Sequence, residues 1–401
     1  MTDPWPPRPQ LARRNLLKNI ALGSISLPIT GVVSSCSNNS ATSSSAKSSK
    51  VNWSNFTLYM PVDGQGAFPL VERCAKDLGI DLSYTEDIDD NSSFFAKSKP
   101  VLDKGDSIGR DLIVVTDDFV MPWIRGGFVE EFDKTKMPNV SNNLITSYLG
   151  AAYDPDRKFT IPWQSGFTGI GFNKQKIKEL LGVDKITSLD QFFDPRLKGQ
   201  IMMSSEMGDS IGLVMAWQGA NIDNFSDSDF ANSLSFIQKQ IDSGQIQQIV
   251  GNESALSLEN GDVAAIVGYA GDLWQLGGGF GFEVPESGGI VFADNLLIPA
   301  GSENKQWAEK VVDYFYQPKI AAEVAQYVGY VSPVVGAQAA AKQLDPELAQ
   351  NRWVFPSQEQ FDLVKFFIIM DATKDALYRA EWQKNSRQLV LSTPISFPHY
   401  L

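Results

Sequence analysis

Two cysteines and one histidine are all that these 401 residues carry of the side chains that most readily serve as soft metal ligands, nucleophiles or neutral-pH bases. No Cys-x-x-Cys pair and no Walker loop occurs, so a thiolate metal centre, a dithiol redox site and a P-loop are all without a sequence basis. The single histidine, His399, stands two residues from the C-terminus and could act as a catalytic base only if the tail folded back into a cleft. Positive charge is also scarce, with 34 basic against 47 acidic residues. Such a balance argues against nucleic acid as a partner, because neutralising phosphates needs clustered Lys and Arg. It is compatible with a cationic solute, although much of it serves solubility alone.

Long hydrophobic runs are missing as well. The one apolar stretch near the N-terminus, Ile20 to Val33, is interrupted by Gly23, Pro28 and Gly31 and is too short to span a bilayer comfortably. It follows Arg13-Arg14-Asn15-Leu16-Leu17-Lys18, which resembles a twin-arginine export signal, and precedes Val33-Ser34-Ser35-Cys36, which resembles a bacterial lipobox. Residues 1–35 are therefore expected to be an export signal and Cys36 a lipidation site; the alternative is an ordinary cleaved signal with an incidental Cys. Residues 36–51 form a Ser-rich tether with almost nothing apolar to bury. Removal of residues 1–35 leaves 30 basic and 46 acidic residues, a net charge of about 16 negative. If Cys36 carries lipid, only Cys74 remains, in a helical pattern with Leu70 and Val71, and no intramolecular disulfide can form.

The remaining 350 or so residues exceed what one core usually serves, so two lobes are expected. Short apolar runs alternate with amphipathic helices, the signature of α/β lobes. Strands are predicted at Phe56–Met60, Ile80–Tyr84, Asp111–Val115, Gly169–Phe172, Gln200–Met203, Val263–Val267 and Gly288–Pro299. Helices are predicted at Phe68–Leu78, Ser210–Gln218 and Phe230–Ile241, the last with Phe230, Leu234, Ile237 and Ile241 on one face. A long helix is expected over Gln358–Trp382.

Two short patterns point to other chemistry. Gly208-Asp209-Ser210-Ile211-Gly212 matches a hydrolase nucleophile elbow, but Ser210 lies several residues beyond the strand that should deliver it. Asp87-Ile88-Asp89-Asp90-Asn91 superficially resembles a calcium loop, yet lacks Gly at its sixth position and Glu at its twelfth, and reads as a solvated turn.

Five further stretches carry a resemblance, together with Phe159–Asn173: Asp111–Val120, Asp154–Trp163, Gly261–Asp272, Gly288–Pro299 and Val328–Pro333. In type and order they resemble bacterial polyamine-binding proteins, the solute receptors of spermidine/putrescine ABC transporters. The resemblance implies an α/β, two-lobed fold of the periplasmic binding protein type (type II, doubly crossed) with the ligand cleft between lobes. It places 52–165 and 294–338 in lobe 1, and 166–293 and 339–401 in lobe 2. It implies capture rather than catalysis, a polyamine or related amine as ligand, an ABC permease and ATPase as partners, and no cofactor; the lipobox-like segment implies an extracytoplasmic location on the membrane through a lipid anchor. Another cationic solute or a metal ion remains an alternative, although the adjacent tyrosines of related ferric-iron receptors are absent.

Ten residues fall at ligand-binding positions of that family. Asp294 stands where an Asp meets a ligand amine, Phe292 where a Trp does, and Tyr269 where an aromatic ring encloses the methylene chain. Glu206 and Asp209 match a carboxylate pair three residues apart. Thr116 and Asp118 take the positions of a Ser and a Tyr, and Tyr330 lies in the Val328–Pro333 motif. After the first strand the family has Trp, Thr, Glu and Tyr in succession; Pro61–Gly66 is the segment expected there, which puts Asp63 at the Trp position and Gln65 at the Glu position, without the two aromatic walls.

Overall fold

The computed structural model describes residues 49–392 except 252, 368 and 369. The expected export signal, the expected lipidation site Cys36, nearly all of the expected tether and His399 lie outside the described residues. Among those residues, no helix is long and apolar enough to cross a membrane.

Ten strands build the molecule: β1 (Lys50–Phe56), β2 (Asp81–Ile88), β3 (Leu112–Thr116), β4 (Ile161–Asn173), β5 (Ile201–Ser204), β6 (Ile246–Val250), β7 (Ala265–Tyr269), β8 (Phe280–Glu283), β9 (Gly289–Leu297) and β10 (Val364–Lys365). They hydrogen-bond in the order β2-β1-β3-β9-β4-β7-β5-β6, with β10 added to β9 and β8 to β4. β1, β2 and β3 are parallel neighbours at one end, and β5, β6 and β7 at the other. β3 and β9 are buried along almost their whole length rather than at alternate residues. That is the pattern of strands covered by helices on both faces.

The two ends are joined through β4 and β9, which run antiparallel and serve both. β9 pairs with β3 through Asp294–Leu297, whereas β4 leaves β9 at Thr168 and continues along β7 to Phe172. The segments Trp163–Thr168 and Phe292–Asn295 are thus neighbours in one ladder, with Gln164 opposite Asp294 and Gly166 opposite Phe292. A third link lies alongside, where Ser165 bridges Val331. Gly166 is needed for this closeness: a Cβ there would stand 2.6 Å from the Phe292 ring and 2.8 Å from that of Tyr330.

Separate cores sit on either side of the crossing. One packs Trp53, Trp163, Phe315 and Tyr316 beneath helices Pro69–Leu78 and Lys305–Phe315; another packs Phe172, Phe192, Phe230 and Ile237 beneath helices Met207–Trp217 and Asp227–Asp242. The period read from Phe230, Leu234, Ile237 and Ile241 holds, since all four are buried. Cys74 is fully buried in the first core.

Two expectations fail, each for a local reason. The first strand ends at Phe56 rather than beginning there, because Leu58 takes φ 64°, a left-handed conformation that no strand continues. The long helix over Gln358–Trp382 is broken. A short helix at Gln358–Phe361 gives way to β10, whose Val364 pairs with Gly289, and helix Ala372–Ser392 follows. Asp371 starts that helix by accepting hydrogen bonds from the backbone N–H groups of Thr373 and Lys374, both at 3.0 Å.

Candidate functional site

A cleft of about 280 Å³ opens where the two ends of the sheet meet. Its polar walls come from three strand-to-helix junctions. Helix Asp117–Arg125 starts directly after β3, helix Met207–Trp217 two residues after β5, and helix Ala270–Leu276 directly after β7. Such junctions turn helix N-termini toward the crevice, where they favour negative charge. Asp117, Asp118, Glu206, Asp209 and Asp272 all occupy them and all line the cleft. With Asp89, Glu253 and Asp294 the lining carries, among the described residues, eight carboxylates and neither Lys nor Arg.

Two of these carboxylates are dressed alike. Asp294, on β9, accepts hydrogen bonds from the Tyr59 hydroxyl (2.5 Å) and the Thr116 hydroxyl (2.7 Å). Asn91 donates in turn to Thr116 Oγ1 at 2.8 Å and accepts from its backbone N–H at 3.1 Å, which fixes the rotamer. Across the crossing, Asp209 accepts from the Thr168 and Tyr269 hydroxyls, each at 2.7 Å. Burial pushes both carboxyls up to about 6; the hydroxyl bonds restrain the rise, and the Asp118 charge adds to it. Glu206 is also pushed up, first by desolvation and then by the charges of Asp118 and Asp209.

Rings connect the two ends. Phe56, Tyr59, Tyr330, Phe292 and Tyr269 form an unbroken edge-to-face series with successive centroids 5.9, 5.1, 6.2 and 5.3 Å apart. The Tyr330 hydroxyl donates to Asp272 at 2.9 Å. The result is an apolar floor with carboxylates above both ends, suited to a solute with an apolar middle and cationic ends.

Of the ten expected ligand residues, Thr116, Asp118, Glu206, Asp209, Tyr269, Phe292, Asp294 and Tyr330 line this one cleft. Asp63 and Gln65 do not. Both are exposed, and Asp63 Oδ1 accepts the backbone N–H groups of Gln65 (2.8 Å) and Ala67 (3.0 Å), which closes a tight surface loop. The segment that enters the cleft after β1 is instead Phe56-Thr57-Leu58-Tyr59. This is an aromatic, a Thr, a third residue and a Tyr in succession, so the aromatic walls expected to be missing are present, and Leu58 stands where the family resemblance implied a Glu. Ending the strand at Phe56 would have found them.

Other members escaped the sequence altogether. Asp89 and the buried Asn91 both line the cleft, so the supposed solvated turn is part of the site; Asp90 caps the following helix through Ser93 N–H at 2.8 Å. Arg379, from the C-terminal helix, donates to the backbone and side-chain oxygens of Asp118, both at 3.1 Å. Ser210, by contrast, is fully buried and donates to the Ser204 carbonyl at 2.7 Å, a structural bond that ties the helix start to the end of β5. Among the described residues no group of three or more His, Cys, Asp or Glu side chains is arranged to hold a metal ion.

Comparison with known proteins agrees with this architecture. The spermidine/putrescine-binding periplasmic protein of Escherichia coli is 26% identical over 317 residues, covering 76% of this chain and 82% of that protein. A putrescine/agmatine-binding protein of Pseudomonas aeruginosa is 26% identical over 271 residues, 63% of this chain and 71% of its own. The crystal structure of the spermidine/putrescine ABC transporter substrate-binding protein PotD from Streptococcus pneumoniae superposes with a TM-score of 0.67 at 21% identity, covering 85% of this chain and 99% of that one. The profile of the bacterial extracellular solute-binding proteins matches residues 109–362, which take in β3 through β9 and every carboxylate of the cleft except Asp89. The chain belongs to that family.

Proposed function

We propose that the protein is an extracytoplasmic receptor that closes on a linear polyamine, putrescine or spermidine, and delivers it to an ABC importer. The observation that carries this is the pairing of an aromatic floor with carboxylates at both ends in a cleft that no Lys or Arg lines among the described residues. Each hydroxyl-held carboxylate keeps lone pairs for an ammonium, and the rings enclose the methylenes between. Burial of those methylenes contributes about 0.8 kcal/mol per CH₂. The relatives named for spermidine, putrescine and agmatine point the same way.

The lobes that close are taken as 52–165 with 294–338, and 166–293 with 339–401. Their hinges are the paired crossings of β4 and β9, short segments between packed bodies that absorb dihedral change. Lipidation at Cys36 would hold the receptor beside the permease and ATPase, with residues 36–51 as tether; mass spectrometry of the native N-terminus tests it, and an unmodified mature chain starting elsewhere would refute the anchor.

Calorimetric titration of the full chain against putrescine, spermidine, a monoamine and divalent metal ions tests the ligand class. Micromolar binding of a diamine or triamine, with a monoamine far weaker, is the expected outcome, since a ligand that pairs with one end only forgoes half the contacts. Binding of a metal ion and of neither polyamine would overturn it.

A further inference from the structure

One cation reaches the wall of this cleft from within the chain. Helix Ala372–Ser392 lies against the second core: the Tyr378 ring stacks on Phe230 at 3.8 Å, and Trp382 Nε1 donates to the Ser205 carbonyl at 2.7 Å, one residue before Glu206. Between these two anchors Arg379 points the other way, across to helix Asp117–Arg125. It donates through Nη2 to Asp118, and through Nε to Asp375 at 2.9 Å. Its guanidinium lies 4.2 Å from the centroid of the Phe119 ring and is largely buried, with only 15% of the side chain exposed. A small adjoining cavity shares Asp118 and Phe367 with the cleft and is also lined by Arg379. The guanidinium therefore stands immediately behind the cleft wall, held from two sides.

We propose that Arg379 is a specificity-determining residue, a fixed internal cation that occupies the carboxylate charge of Asp118 and so favours a diamine over a triamine in this cleft. The proposal rests on the polyamine function above. Asp294 and Asp209 are held by neutral hydroxyls, which leave their charge for a ligand ammonium. Asp118 differs, because its neighbour is a cation. A guanidinium satisfies an acidic oxygen in geometry and in charge together, and although Asp375 shares it, a third ammonium approaching Asp118 gains less there than beside a carboxylate with no cation on it. Glu206 lies within reach of the same field, and Arg379 is the charge that opposes the repulsion it receives from Asp118 and Asp209. A triamine gains least at the end of the cleft where an amine is already built in.

The test is the ratio of affinities rather than either affinity alone. Putrescine and spermidine are titrated calorimetrically into the full chain and into Arg379→Gln, Arg379→Met and Arg379→Lys, with circular dichroism melting to confirm folding. The neutral variants should shift the spermidine-to-putrescine affinity ratio about tenfold toward spermidine, and Arg379→Lys should stay near the parent ratio. Gln and Met differ in polarity but not in charge, so either one that folds reports the effect. An unchanged ratio in a folded neutral variant that still binds both amines overturns the assignment of Arg379 and leaves the polyamine function standing. So does a Lys variant that shifts as far as the neutral ones, because the effect would then belong to packing. A parent protein that binds neither amine brings down both.

Discussion

Asp209 and Asp118 face each other across one cleft, at the N-termini of two helices that follow buried strands, yet their surroundings differ in kind. Asp209 accepts two hydroxyl hydrogen bonds, whereas Asp118 accepts a guanidinium. A hydroxyl donor satisfies lone pairs and leaves the charge; a guanidinium removes the need for any other cation. Asp294, far along the chain on β9, repeats the Asp209 arrangement with Tyr59 and Thr116. The same carboxylate chemistry thus meets neutral hydroxyls at two points and a guanidinium at a third, and the difference lies in the neighbour rather than in the acid.

The largest expected effect comes from removing a prepared carboxylate. Asp294→Asn and Asp209→Asn should each weaken putrescine binding by about 2 kcal/mol or more, since a charge-assisted bond is lost and a buried ammonium is left underpaired. Asp118→Asn should cost putrescine much less, because Arg379 rather than the ligand loses its partner. Calorimetry on the three variants decides the matter, and equal losses at all three positions would break the distinction.

Next in size is a pH effect of opposite sign on stability and on binding. Asp209 and Asp294 both lie near 6 in the folded protein against an ordinary 3.8, so each holds its proton more tightly folded than unfolded. Their contribution to the stability of the empty protein is fully present below the unfolded value and is lost as pH rises through about 6. Binding runs the other way, because an ammonium needs the ionised form. Putrescine should bind at least about tenfold more weakly near pH 5 than at neutral pH, by the rule that one pKa unit is one decade, and should release protons on binding. Titration in buffers of different ionisation enthalpy measures both. An affinity flat across this range would mean that neither carboxyl meets the ligand.

How far the chain announces this site depends on whether a residue's partner is local. Asp294 is legible because a charged side chain interrupts the apolar run Ile290–Ile298, and an acid buried in a central strand needs a cation. The helix over Asp227–Asp242 is legible from its period. The loop after β1 is not, since its entry into the cleft depends on a positive φ at Leu58, a residue type that gives no warning of one. Nor is Arg379, which lies 261 residues from Asp118 on a helix that follows the break at β10. A basic residue in a mostly polar helix is ordinarily a solvated charge; only the tertiary fold turns this one inward.

The smallest effect is also the most specific. Tyr269→Phe keeps the ring against Phe292, at 5.3 Å, and deletes only the hydroxyl that donates to Asp209. Loss of one such bond should weaken putrescine binding by about 1 kcal/mol at neutral pH. The hydroxyl also favours the ionised carboxyl, so its removal should move the Asp209 titration upward from about 6 and carry the acid limb of the binding profile with it. Tyr59→Phe should do the same through Asp294, whose short bond from Tyr59 has the same role. The two variants are therefore expected to lose more affinity at mildly acidic pH than at neutral pH. Arg379→Lys, which leaves both hydroxyl pairs intact, should show no such steepening. A profile that drops evenly at every pH would assign the tyrosines to packing alone and remove the distinction between a carboxylate held by hydroxyls and one held by a cation.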